Sequence, residues 1–175
     1  MVDHAQDEQA FLVMAGLGFD AAVMADTNDM LKDKVGWLAY VDAGIRNLPG
    51  KPVKTNISVD GARPLGRRLR SVMGGNCGKL QGGLEIFPGA KFDDGILEIM
   101  TVAPSGRLGW FAVLAGLVSR GKTKDPAIEY FQGKKVEISF DAAQAIQLDG
   151  DHIGEAKHLT MTIDPGALLV RLPQP

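Results

Sequence analysis

Hydrophobic and polar positions along this chain fall into two regimes, a short helical period early and a two-residue period later. "FLVMAG", residues 11–16, reads as a buried strand ended by Gly16 and Gly18. From Ala21 to Leu48 the apolar residues Val23, Met24, Leu31, Val35, Leu38 and Val41 recur at helical spacing. They predict one long or two short helices, weakest at Gly36 and Gly44 and stopped by Pro49-Gly50. From Lys51 the alternation of "VKTNISV" predicts a strand, and Asp60-Gly61 behind it suits a tight hairpin that returns around Leu69 to Met73. "LEIF", "ILEIMTVA", "KVEISF", "AIQL", "HLTMTI" and "ALLVRL" add further short runs separated by turn residues. Such spacing is the pattern of an antiparallel sandwich or barrel. "SGRLGWFAVLAGLVSRG", 105–121, interrupts the strands and predicts one helix, with Ser105 as N-cap, Gly121 as C-cap and a Trp110, Leu114, Leu117 face on the sheet. The expected fold is therefore α+β and mainly β: a sandwich-like antiparallel domain with an N-terminal helical block and one inserted helix.

Length and composition narrow the function classes. The 175 residues suit one domain, and 45% hydrophobic with 23% charged residues is the balance of a folded soluble protein. Residues 1–10 read as a lead-in or boundary and 11–175 as the domain. Lys plus Arg number 19 against 21 Asp plus Glu, so no overall positive field exists to attract a nucleic acid. Arg67, Arg68 and Arg70 form the one basic cluster, a solvated strand or turn that could also meet anionic headgroups. The single cysteine, Cys77, cannot close an internal disulfide, which fits a reducing cytoplasm. His4, His152 and His158 lack the close partners of a zinc site. The longest apolar stretch, 108–118, has eleven residues, short of the roughly twenty that cross a bilayer.

Two Asp-Gly stretches and a glycine cluster carry the candidate chemistry. "GGNCGKLQGG", 74–83, holds five glycines in ten positions, enough to bring backbone close to a ligand or a second domain. "KFDDGIL" can form a hairpin turn, and its acids and carbonyl oxygens also suit a hard cation such as Mg²⁺. "QLDGDHIG" can likewise be a turn between "AIQL" and "HLTMTI".

Three stretches, "AGLGFDAAV", "NCGKLQGGLEIFPGAKFDDGIL" and "QLDGD", resemble in order and spacing the C-terminal domain of the diacylglycerol kinase and sphingosine kinase superfamily, bacterial lipid kinases included. The resemblance covers about Phe11 to Pro173. It implies the substrate-side half of an ATP-dependent kinase acting on the hydroxyl of diacylglycerol or a related membrane lipid. By resemblance, Asp94 gives Mg²⁺ a carboxylate oxygen while Lys91 and Ile96 give carbonyl oxygens. Asp151 stands at the place of the catalytic base, and Asn76, Gly82, Gly83 and Asp149 line the cofactor side of the cleft. Two positions depart from the family pattern: Gln81 replaces the first of three glycines, and Asp151 replaces Glu.

The Gly-Gly-Asp-Gly-Thr motif that holds nucleotide phosphates in a preceding domain is missing from this chain. ATP is thus expected to bind mainly to an absent N-terminal partner domain, leaving this fragment silent alone. The expected setting is cytoplasmic with peripheral attachment to the membrane; association of two copies through an exposed strand is a further expectation. An apolar lipid slot would draw on Trp37, Phe111, Trp110, Met24 and Met30. The rival readings are a stand-alone lipid- or protein-binding module and a soluble-substrate kinase of the NAD kinase type.

Overall fold

The computed structural model describes residues 8–17, 52–79, 85–105, 109–110, 112–113 and 126–169. The expected helical block between Ala21 and Leu48 lies outside them, as do Gly82, Gly83, Trp37, Phe111, Met24 and Met30.

Eight strands form one antiparallel sheet: β1 (Met14–Leu17), β2 (Val53–Val59), β3 (Leu65–Leu69), β4 (Ser71–Gly75), β5 (Leu97–Val102), β6 (Ile128–Gly133), β7 (Lys135–Leu148) and β8 (Asp151–Thr162). Their order is β3-β2-β7-β1-β4-β5-β6, and β8 pairs with β7. The alternating pattern suggested an antiparallel sandwich or barrel, and the strands form a single antiparallel sheet that folds over on itself. The cause is β7: its first half pairs with β2 through Val136–Phe140 and its last three residues pair with β1. Between these halves its register against β8 slips from Ser139 to Gln144, an irregularity at which the strand bends.

The two halves close around one core. Ile57, Leu69, Val136, Ile138, Phe140 and Met161 from one half meet Ala15, Leu17, Val72, Leu97, Ile99 and Ile146 from the other. A Cβ on Gly74 would lie 2.8 Å from the Met161 sulfur, so β4 and β8 touch across the interior. Gly133 of β6 lies against Val59 and Asp60 of the β2–β3 hairpin, and Arg67 on β3 reaches Glu129 on β6 at 3.3 Å, which draws the outer strands together.

β4 and β5 are buried at every residue, because a second apolar layer covers their other face. Met14, Met73, Met100 and Val102 pack there against Ile86, Phe87, Trp110 and Val113. Burial on both faces is why "LEIMTV" is nearly continuously apolar instead of alternating. Gly109–Trp110 and Ala112–Val113 are helical, and the Gly109 amide donates to the Ser105 carbonyl at 3.2 Å, as expected for a helix begun at Ser105. Trp110 is buried as the amphipathic pattern required, while Leu114 and Leu117 lie outside the described residues.

Several boundaries differ from the pattern-based expectation. "VKTNISV" is β2 as read, but Leu69 to Met73 spans the break at Arg70 between β3 and β4. "LEIF" is not a strand: Glu85 makes one isolated bridge to Lys79, and Ile86 and Phe87 are buried in a loop. "KVEISF" and "AIQL" are one strand, β7, and β6 has no counterpart among the runs read from sequence. Ala167–Leu169 are not in a strand. Among the described residues no helix is long and apolar enough to cross a membrane.

Candidate functional site

Both tight Asp-Gly hairpins form for the same local reason. Asp60 and Gly61 have φ of 50° and 75°, and Asp149 and Gly150 have 49° and 101°. Positive φ at both central residues is the turn whose twist matches that of the flanking strands. Leu148 pairs with Asp151, so the second turn is only two residues long and Asp151 emerges directly from it at the start of β8.

The Asp149 carboxylate reaches far along the chain. Its Oδ2 accepts the Leu12 amide at 2.7 Å, and its Oδ1 accepts those of Val13 and Met14 at 2.8 and 2.9 Å. The Asp149 amide returns a bond to the Met14 carbonyl at 2.8 Å, and the Gly150 amide donates to Gln147 Oε1 at 2.8 Å. Placed on the cofactor side by resemblance, Asp149 therefore spends its carboxylate on backbone amides and positions the turn beside Asp151. Asp149→Ala removes the two oxygens that accept three backbone amides and leaves a β-carbon at positive φ. The expected loss is about 2–3 kcal/mol, read as a lower urea midpoint at unchanged m-value.

Asn76 follows β4 at the same rim. Its amide donates to the Val13 carbonyl at 3.2 Å, and its Nδ2 donates to the Phe92 carbonyl at 3.2 Å. Cys77 Sγ lies 3.7 Å from the Leu12 carbonyl. A chain of hydrogen bonds thus runs from Phe92 through Asn76 and Val13 to Asp149, two residues before Asp151. The strand order explains this: β7 ends, β8, β1 and β5 begin, and β4 ends on one edge, with neighbours about 4.8 Å apart. The two Asp corners far apart in sequence therefore share a rim.

The 91–96 loop is a turn leading into β5, not the corner of a two-strand hairpin. Gly95 has φ 71°, and the Ile96 amide donates to Asp94 Oδ1 at 3.0 Å, a side-chain-closed turn. Lys91, Phe92, Asp93 and Asp94 are exposed. Among the described residues no cluster of three or more His, Cys, Asp or Glu could hold a metal. An ion here would therefore rest on Asp94 Oδ2, the Lys91 and Ile96 carbonyls and water, a donor set of the kind Mg²⁺ accepts. Asn76 donates to the loop through Nδ2, and its Oδ1 is buried without a hydrogen-bond partner.

Sequence reading missed Glu98. It lies on β5 opposite Gly75, is buried to 6% exposure and accepts a hydrogen bond from Gln132 Nε2 at 2.8 Å. The signal was an acid inside an apolar run with both faces covered. Asp151 is exposed, and among the described residues no hydrogen bond engages its carboxylate. His152 and His158 are exposed on β8, in keeping with surface roles. On β6, burial and then the negative charge of Glu85 push the Tyr130 phenol above its ordinary value, so it stays neutral near pH 7.

Comparison with known proteins decides the family. The profile of the YegS C-terminal NAD kinase beta sandwich-like domain matches residues 13–172. The chain belongs to this family. A probable lipid kinase YegS-like protein of Pseudomonas fluorescens is 33% identical over 168 residues, covering 95% of this chain and 54% of that protein. A diacylglycerol kinase of Staphylococcus aureus is 31% identical over 147 residues, covering 83% of this chain and 46% of the relative. The YegS-type chain thus spans about half the length of the curated relatives it matches. A Bacillus anthracis structure described as a candidate diacylglycerol kinase superposes with a TM-score of 0.59 at 21% identity, over 90% of this chain and 55% of that one. A diacylglycerol kinase structure from the same organism gives 0.54 at 20% identity, over 91% and 52%. These two likenesses show the fold.

Proposed function

We infer that this domain is the substrate-side half of an ATP-dependent lipid kinase whose acceptor is the hydroxyl of diacylglycerol or a similar lipid. The observation that carries the reading is the shared rim. Asp151, free to accept a proton, sits on the same edge as the Asp94 loop, in a domain related along most of its length to proteins named lipid and diacylglycerol kinases.

Phosphoryl transfer asks little covalent work of the protein and much positioning. Asp151 accepts the proton of the lipid hydroxyl as the hydroxyl oxygen attacks the terminal phosphorus of ATP, the bond from that phosphorus to the bridging oxygen breaks, and ADP leaves. Asp149 and the 12–14 segment hold the turn from which Asp151 projects, and Asn76 ties that segment to the Phe92 carbonyl. Asp94 with the Lys91 and Ile96 carbonyls would hold Mg²⁺, which supplies positive charge and ordered water at the cleft. ATP is assigned to a nucleotide-binding half outside these 175 residues, and the setting to the cytoplasmic membrane surface. Leu12, Phe92 and Ile153 are 58%, 78% and 42% exposed near this rim, apolar surface that suits acyl chains. The same exposure favours, as a second reading, a module that only captures lipid.

One experiment separates the two. The chain is joined to the part of the Pseudomonas relative that it does not cover and assayed with labelled ATP against diacylglycerol vesicles and against NAD. Label in the lipid, with none from the chain alone, supports the kinase; vesicle binding without transfer in either form supports the capture module; label in NAD overturns both. Mn²⁺ titrated into the isolated chain should bind at least ~10-fold more weakly after Asp94→Asn, and equal affinity would remove Asp94 from the ion.

A further inference from the structure

The 91–96 loop is gripped from two sides. On one, Asn76 Nδ2 donates to the Phe92 carbonyl at 3.2 Å. On the other lies the segment that follows β8, and its residues make it stiff. The Ile163 amide donates to the Lys134 carbonyl at 3.0 Å, which anchors the chain just before it leaves the sheet. Asp164, Pro165, Gly166 and Ala167 then form a tight turn, in which the Ala167 amide donates to the Asp164 carbonyl at 3.4 Å and Gly166 has φ of 77°. Proline second and glycine third suit a type II turn, because the ring presets one φ and glycine takes the positive one without strain. The Pro165 ring of this turn rests on Gly95. A Cβ built on Gly95 would come within 3.2 Å of Pro165 Cγ and 3.5 Å of its Cβ, so the ring lies closer to the loop backbone than a side chain at 95 would comfortably allow.

We propose, on the reading that this loop holds the ion, that the Pro165-Gly166 turn is a positioning element that makes the loop prefer Mg²⁺ to Ca²⁺. The donors on that reading are the Lys91 carbonyl, an Asp94 carboxylate oxygen and the Ile96 carbonyl. The two grips bracket Asp94. Phe92 adjoins Lys91 and Gly95 adjoins Ile96, so each carbonyl donor lies one residue from a held point. Between them, the Ile96 amide closes onto Asp94 Oδ1 at 3.0 Å. Mg²⁺ demands near-octahedral ligands at about 2.0–2.1 Å, whereas Ca²⁺ adapts to flexible sets at about 2.3–2.6 Å. Loosening one grip lets the spacing of the two carbonyls drift, which costs the smaller ion its geometry while the larger one follows. Pro165 and Gly166 are exposed, so their part in this is separable from the buried core. Pro165 acts through the Gly95 backbone and not as a ligand.

The test loads the 175-residue chain with Mn²⁺, followed by its paramagnetic resonance signal, and displaces it with Mg²⁺ and with Ca²⁺ to give the ratio of the two affinities. Pro165→Ala removes the ring. Gly166→Ala strains the turn that presents it, and since a Cβ there meets nothing within 4 Å, it acts through the backbone dihedral alone. Each should lower Mg²⁺ affinity on the order of 10-fold, the usual cost of losing a group that orients metal ligands. Ca²⁺ affinity should stay within about threefold. Gly61→Ala is the control, with φ of 75° and the same open space but on the Asp60-Gly61 hairpin, and it should keep the ratio within about twofold. An unchanged ratio in either turn variant, an equal loss for both ions, or the same fall in Gly61→Ala overturns the proposal while leaving the ion site of the native chain standing. A native chain that binds no Mn²⁺ overturns the ion site and this role of Pro165 together.

Discussion

If the proposed kinase reading holds, Asp151→Asn, made in the chain joined to the remaining half of the Pseudomonas relative, should lower turnover by about 10²- to 10⁴-fold, the usual contribution of a positioned general base. Asn keeps the size and the turn but cannot accept the hydroxyl proton. Because Asp151 is exposed and no described residue hydrogen-bonds its carboxylate, the fold should be undisturbed, with stability within about 0.5 kcal/mol of the parent. The KM for lipid should barely move, since the lost interaction belongs to the transition state. Asp151→Glu provides the complementary test. Asp is one methylene shorter than the family's Glu, so its carboxylate stands back by roughly 1.5 Å, and misplacement near 1 Å can cost about 100-fold. Turnover equal to or above that of the native protein is expected for Glu. Turnover unchanged by Asn would remove Asp151 from the chemistry and leave Glu98 as the buried acid to examine on that rim.

The parts of this molecule legible in its sequence are those decided locally. Asp60-Gly61 and Asp149-Gly150 were readable as tight turns because only residues tolerant of positive φ fit there, and both have it. β2 was readable because one of its faces is buried and the other is not. β4 and β5 lost their alternation through a second covering layer, which only the tertiary fold supplies. β7 read as two runs because "DAAQ" carries the irregularity that lets one strand serve both halves of the sheet. β6 escaped notice because its outer positions mix aromatic and charged residues, with Tyr130 and Glu129 both exposed. At the site, the residue types at 94, 149 and 151 pointed to a cleft, but their wiring did not. The bonds from Asp149 to Leu12, Val13 and Met14 span more than 130 positions, and nothing local in "QLDGD" or "FLVMAG" announces them.

Gly16 is where that wiring is most vulnerable. It lies in β1 between Met73 of β4 and Gln147 of β7, and its φ of 154° accompanies a very close approach of β4. A Cβ there would collide with the Val72 carbonyl oxygen and come within 2.8 Å of the Met73 Cα. Both are backbone atoms of a fully buried strand, so no side chain can swing aside. Gly16→Ala should therefore cost about 3–5 kcal/mol, combining backbone strain with overpacking, and lower the melting temperature by about 10–15 °C. Gly61 is the control. Its φ is 75°, yet a Cβ there meets nothing within 4 Å, so Gly61→Ala should cost only the dihedral strain, about 1–2 kcal/mol. The functional consequence separates the two further. Pushing β1 from β4 moves Met14 and the 12–13 segment, the piece of backbone to which both Asn76 and Asp149 are bonded, so the Gly16 variant should lose activity below its melting point while the Gly61 variant keeps it. Equal stability losses at the two glycines, measured by urea denaturation, would mean that the backbone dihedral alone sets the cost and that β1 and β4 can part without harm.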